Sequence, residues 1–252
     1  MRSIIQIRGE DAAKFLQSII TNDLPNKGLA YSLILNSLGR FLFDIFIIKQ
    51  DDGYLLDAQT SQTSQIISTL KSYILRSKVI IEDLSDQYSV SYTKAPGTYK
   101  DPRFHKLGYR TIVPKDHSLN EDYLDDKYQY SIPDGDFDLI YGKSMPQEYG
   151  IDLLGGISYS KGCYVGQEVI SRTRSQGTVR KGIFKVTAQD SIDRLSPGEV
   201  IFADKYEIGV LASAHHNLGI ALIRTHDYEK HQQMQLTIDG ISIAISKPEW
   251  WT

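Results

Sequence analysis

A chain of 252 residues is long for one compact domain and short for three, so two packed parts are expected. With 41% hydrophobic and 23% charged residues it can bury a core without disulfide or metal staples. A formal charge of −3 excludes a polycation built to coat nucleic acid or anionic lipid, and a single cysteine excludes both a disulfide framework and a self-contained iron–sulfur site.

In chain order, Ile5 and Ile7 alternate as in a short strand that Gly9 stops. From Asp11, placed to cap, Ala12, Phe15, Leu16, Ile19 and Ile20 recur at helical spacing. Leu29 to Leu35 and Phe41 to Ile48 read as a hairpin around Asn36-Ser37-Leu38-Gly39-Arg40, and Tyr54 to Ala58 as a further strand. Ile66, Ile67, Leu70, Tyr73 and Ile74 mark a second amphipathic helix, and Val79 to Ile81 a strand. Breakers make 95–102 a loop, and 118–132 reads as a helix ended by Pro133-Asp134-Gly135. After Gly177, short apolar runs separated by turns, with no helical period, indicate an all-β module, plausible as a barrel. The class is α+β, with residues 1–178 as body (50–115 an inserted lobe within it) and 179–252 as barrel. The N-terminal segment is too short in apolar residues for a secretion signal, and Asp44 breaks the longest apolar run, so a cytoplasmic chain outside the membrane is expected.

Common nucleotide loops, nucleophile elbows and His-Glu-x-x-His are absent. No metal site is expected: the histidines are scattered, and the adjacent His215 and His216 cannot share one helix face. The segment Lys161-Gly162-Cys163-Tyr164-Val165-Gly166-Gln167-Glu168 stands out. Its thiol lies two residues from a lysine and just before a helix start, where positive charge favours a thiolate. A lone cysteine is also often a small buried hydrophobe, and on the residues alone that plainer reading leads.

The octet resembles the signature Lys-Gly-Cys-Tyr-x-Gly-Gln-Glu of the YgfZ family, relatives of the glycine-cleavage aminomethyltransferase. Gly9-x-Asp11-Ala12, Thr21-Asn22-Asp23, Asn36 to Arg40 with Asp44, and Tyr73-x-Leu75-Arg76 fit the same family. So do Asp101-Pro102-Arg103, Arg110, Ile132-Pro133-Asp134-Gly135 and Pro146-x-Glu148, although Ser131 stands where the family tends to have glycine. The resemblance implies an aminomethyltransferase-like body and a small barrel around an opening that takes tetrahydrofolate. It also implies a part in iron–sulfur assembly or repair in client enzymes, tRNA-thiolating ones included, without direct nucleic-acid or membrane binding. On that reading Cys163 is the functional thiol and Lys161 holds it ionised. Asn22, Arg40, Asp44, Arg76, Tyr123, Glu148, Tyr164, Gln167, Glu168 and Arg172 surround cofactor or thiol. A basic stretch from Lys161 to Lys185 suits the glutamate tail of folate, a client protein or RNA phosphates, and a plain solvated face leads over RNA binding. Non-catalytic assembly is favoured; the rival is a folate-dependent aminomethyltransferase or other one-carbon transferase.

Overall fold

The apolar run Phe41 to Ile48 becomes a strand buried along both faces, which fixes the layering of everything around it. The computed structural model describes residues 1–117, 123–177, 179–231 and 233–251. The body holds β1 (Arg2–Arg8), α1 (Ala12–Gln17), β2 (Leu29–Leu35), β3 (Phe41–Gln50) and β4 (Gly53–Gln59). It continues with α2 (Thr63–Tyr73), β5 (Ile80–Asp83), β6 (Tyr88–Thr93), β7 (Tyr99–Lys100), β8 (Tyr109–Pro114), α3 (Tyr123–Tyr130) and α4 (Gln167–Gln176). Eight strands form one sheet in the order β2-β3-β4-β1-β6-β8-β7, with β5 paired to β1. Residues 50–115, expected as an inserted lobe, thus supply β4 to β8 to the same sheet as β1 to β3. The second part is β9 (Lys181–Ala188), β10 (Val200–Ala203), β11 (Tyr206–His215), β12 (Leu218–Arg224), α5 (Thr225–His231), β13 (Leu236–Ile238) and β14 (Ile241–Ser246). Its strands close a barrel in the order β10-β11-β12-β9-β14-β13. The α+β class with a C-terminal barrel is as expected from the sequence.

Three departures have local causes. Asp11 does not cap α1; its carboxylate accepts the Lys78 N–H at 2.7 Å instead and fastens the helix to the segment before β5. Helix α5 interrupts the barrel sequence: Tyr228 packs on Phe184 at 4.5 Å between ring centroids, so tertiary contact replaces a periodic apolar face. Of the helix expected over 118–132, α3 spans Tyr123–Tyr130, and 118–122 lie outside the described residues. Ser131 then holds φ 52°, the left-handed region that favours glycine, which gives the family's preference there a backbone reason.

On one side of β3, Phe43, Ile45 and Ile47 pack with α1 and α2 through Leu16, Ile66 and Leu70. On the other, Phe41 and Phe46 join a core that crosses into the barrel through Tyr128, Ile132, Ile183, Ile220 and Trp250. Trp250 clips the chain end to the body: its Nε1 donates to the Tyr130 carbonyl at 2.9 Å, and a Cβ at Gly150 would come within 2.4 Å of its ring. A buried ion pair of the body lies at the same seam and meets the barrel through Ser213. Lys127 Nζ meets Asp138 Oδ2 at 2.7 Å with both side chains fully covered, and Ser213 of β11 donates to Asp138 Oδ1 at 2.5 Å. Burial opposes the Lys127 charge, but Asp138 and then Asp134 outweigh it and hold the ammonium above its ordinary range.

Removing one member of such a pair leaves an uncompensated buried charge. Lys127→Met is expected to cost about 3–5 kcal/mol in urea unfolding, and adding Asp138→Asn to recover part of it. A loss below about 1 kcal/mol, the scale of an exposed pair, would contradict the seam described.

Candidate functional site

Against the sheet, four buried charges and the mostly covered Arg2 form a chain of ion pairs. Asp57 of β4 receives Arg2 of β1 and, at 3.0 Å, Arg110 of β8. Arg110 also reaches Asp101 at 2.9 Å, and Asp101 closes the chain on Arg103 at 2.9 Å. Strand order puts these residues together, since β4, β1, β6 and β8 lie side by side. The guanidinium of Arg110 lies 3.7 Å from the Phe46 ring centre and that of Arg103 5.0 Å away, so β3 supports both from beneath. Although burial works against it, Arg103 and Arg110 hold the Asp101 carboxyl well below the usual range. Three guanidiniums and two carboxylates leave one net positive charge in this chain.

Asp44 faces that charge. It is fully buried on β3, and among the described residues neither carboxylate oxygen has a hydrogen-bond partner. Burial pushes its carboxyl up, Arg2 pulls it down, Asp134 pushes it up, and Arg103 and Arg110 pull it down. The Tyr31 hydroxyl and Arg103 Nη1 are likewise buried without a partner among the described residues, and both groups act electrostatically with Asp44 or with each other. A Cβ at Gly135 would lie 2.7 Å from Asp44 Oδ1 and 2.6 Å from the Phe41 ring, so only glycine closes over this carboxylate.

Beside the cluster is a cavity of about 210 Å³ whose walls include Arg2, Tyr92, Arg110, Tyr123, Asp136 and Phe137. Tyr123 donates to Asp134 at 2.8 Å and accepts from Arg103 at 3.3 Å; burial pushes its phenol up to about 12, so it stays protonated. The Asp136 carboxyl is pushed up by burial and then by Asp134 and Asp44. Of the sequence candidates, Tyr123 lines this cavity, while Asp44 is fully buried and is not among its walls. Arg2, Asp57, Asp101, Arg103 and Arg110 were not among the candidates. Their signal was charge inside strand patterns, at Arg2 and Asp57, and charge packed into the short stretch 101–110.

The octet builds a second locus. Cys163 is exposed on the loop before α4. Lys161, expected to hold the thiol ionised, instead buries its ammonium on the Ile20 and Asn22 carbonyls at 2.6 and 2.8 Å, and 5.1 Å from the Tyr164 ring centre. Burial lowers it to about 8. The lysine therefore fastens the loop, and α4 begins four positions beyond the thiol rather than beneath it. Gly166 turns the chain at φ 83° and lies against the β2–β3 turn, where a Cβ would meet the Asn36 carbonyl at 2.6 Å.

Asn22 joins this locus to the first: its side-chain amide donates to the Tyr31 carbonyl at 2.9 Å and to that of Gly155 at 2.7 Å. Tyr31 in turn packs on Phe46 and under Arg103. The remaining candidates are dispersed. Arg40 donates to the Lys143 carbonyl at 3.3 Å, and Glu168 and Arg172 pair on the exposed face of α4, where Gln167 is the first residue. Arg76 lines a separate hollow with Asp11, Lys14 and Ser18, and Glu148 lines a cleft with Trp250 and Trp251.

Residues 2–93 match the family model described as the GCVT N-terminal domain, and residues 180–252 that of the CAF17 C-terminal beta-barrel domain. The chain thus has a GCVT-like body with a CAF17-type barrel. It is 28% identical to the iron-sulfur cluster assembly factor IBA57, mitochondrial, of Mus musculus, over 99% of this chain and 83% of that protein. The Homo sapiens protein is 27% identical over the same shares. The homolog in Pyricularia oryzae is 32% identical over 75% of this chain, which covers 56% of it. The crystal structure of a glycine cleavage system aminomethyltransferase T from Bartonella henselae superposes with a TM-score of 0.71 over 98% of this chain and 83% of that one, at 13% identity, a likeness of fold alone. These relatives are named as mitochondrial proteins, which overturns the cytoplasmic expectation.

Folding disfavours the charged form of Asp44, so its ionisation costs stability as pH rises above the ordinary carboxyl range of about 4. Asp44→Asn is expected to be more stable than the parent at pH 7, with the gain shrinking as pH falls toward 4, followed by urea unfolding across pH. A variant less stable at pH 7 would contradict this placement of charge.

Proposed function

We propose that the protein is an iron–sulfur cluster assembly factor of the YgfZ kind that holds tetrahydrofolate at the Asp44 cluster and presents Cys163 to its clients. The observation that carries the folate part is an aromatic-walled cavity whose Arg2, Arg110 and Tyr123 belong to the charge network around four buried, unclaimed polar atoms. These atoms, Asp44 Oδ1 and Oδ2, Tyr31 Oη and Arg103 Nη1, lie behind its walls. Two parallel carboxylate oxygens suit the donor pair of an amino-pyrimidine edge. Pockets for drug-sized ligands take about 300–1,000 Å³, so a cavity of about 210 Å³ fits the ring head of a folate and leaves its tail outside. Bound there, tetrahydrofolate supplies a reduced pteridine that carries one-carbon units on its ring nitrogens. Tyr92, Tyr123 and Phe137 exclude water from the ring. Arg2 and Arg110 hold their positions through Asp57, and Asp136 offers a second carboxyl to the cavity.

The assembly role draws on the relatives named above and on the exposure of Cys163, whose sulfur offers a ligand to iron in transit as cargo. Lys161, Gly166 and Tyr164 position that loop. Iron–sulfur assembly proteins or client enzymes, tRNA-thiolating ones among them, are the partners on this reading, and a mitochondrial setting follows the relatives. The one-carbon transferase alternative draws on fold likeness, which carries no activity at this identity.

Calorimetric titration with tetrahydrofolate tests the pocket, and client activation tests the thiol. The parent is expected to bind saturably, Asp44→Asn about tenfold more weakly or worse, the loss of a charge-assisted pair. Cys163→Ser should bind as the parent does yet fail to support a client in cluster reconstitution. Full client support by that variant would reject the thiol; no binding by the parent would reject the folate.

A further inference from the structure

Away from both loci, three side chains with ligand chemistry converge where α3 meets the turn between β11 and β12. Asp125, His215 and His216 each bring one ligand atom to within 4.8 Å of the other two. His215 Nε2 lies 3.4 Å from Asp125 Oδ1. A tetrahedral site with bonds of about 2.0–2.1 Å sets its ligand atoms about 3.4 Å apart, so this pair already has the spacing of one tetrahedral edge. Adjacent histidines can share a centre here because they leave a strand into a turn rather than ride a helix. His216 holds φ 55°, which brings the two ring centroids to 4.1 Å.

That backbone is fastened from both sides. The His216 N–H donates to Asp193 Oδ1 at 2.6 Å, and its carbonyl accepts the Ile192 N–H at 2.6 Å. Asp193 Oδ2 lies 3.5 Å from His216 Nδ1, the kind of outer carboxylate that orients a ligating imidazole. Tyr128 stacks on His215 at 5.4 Å between centroids. The three groups line a cleft of about 350 Å³, which leaves room for water.

We propose that Asp125, His215 and His216 form a binding site for a late first-row divalent metal ion, with zinc as the reference ion and water completing the coordination. Two imidazoles with one carboxylate select such ions over magnesium and calcium, which take all-oxygen sites. Because Asp125 belongs to α3 and the histidines to the barrel, the ion ties the two parts of the chain across their seam.

Cobalt(II) titrated into the full, untagged chain and followed by its visible absorption reads the site directly. The expected result is a saturable tetrahedral signal that zinc displaces and magnesium does not. His216→Asn, which tolerates the left-handed backbone, and Asp125→Asn are each expected to weaken cobalt and zinc binding by about tenfold or more. Both side chains are mostly exposed, so both variants should keep the parent's urea midpoint in metal-free buffer. An absent signal, a signal that magnesium displaces equally, or parental affinity in both variants would overturn the assignment.

Discussion

The chain of ion pairs from Arg2 through Asp57, Arg110 and Asp101 to Arg103 is the constraint on which the rest of the body depends. It ties β1, β4, β8 and the 101–103 loop by groups that water would otherwise hold, and each member is needed because its neighbour is buried. An odd number of charges makes the arrangement incomplete by itself. The excess positive charge faces Asp44, yet no guanidinium reaches that carboxylate, so the attraction is felt without being satisfied by a hydrogen bond. A buried carboxylate without a hydrogen-bond partner, whose charged form burial disfavours, costs stability in the free protein.

The barrel is not an appendage to this arrangement. One core runs from Phe46 under the guanidiniums through Tyr128 and Ile132 to Ile183 and Ile220. The Lys127–Asp138–Ser213 contacts and the Trp250 clip act on the same boundary. Asp138 also accepts the Asp134 N–H at 2.9 Å, while Asp134 accepts from Tyr123. Barrel position and cavity wall are therefore linked through a few buried hydrogen bonds, and the His215–Asp125 contact joins the barrel to that same helix.

Much of this was legible in the residues. The β2–β3 hairpin, α2 and the barrel strands follow from apolar spacing and turn residues, and Asp44 was visible as the charge that breaks the chain's longest apolar run. Pairing partners were not legible. Asp57 and Arg110 are 53 residues apart, and no local pattern carries that distance. Helix α5 offers a single large apolar residue, Tyr228, too few for a period. Lys161 shows the opposite failure: closeness in sequence suggested a partner for Cys163, whereas its length lets it reach the Asn22 carbonyl across 139 positions. The adjacent histidines were set aside on helix geometry that the turn at His216 does not obey.

Site-resolved carbon NMR of the Asp44 carboxyl through a pH titration, with and without tetrahydrofolate, addresses the central point most directly. In the free protein Asp44 is expected to titrate above an ordinary aspartate, and ligand binding to draw that titration downward as donors reach its two oxygens. An ordinary titration in the free protein, or one that tetrahydrofolate leaves unmoved, would contradict the assignment of Asp44 as the unclaimed centre of the site.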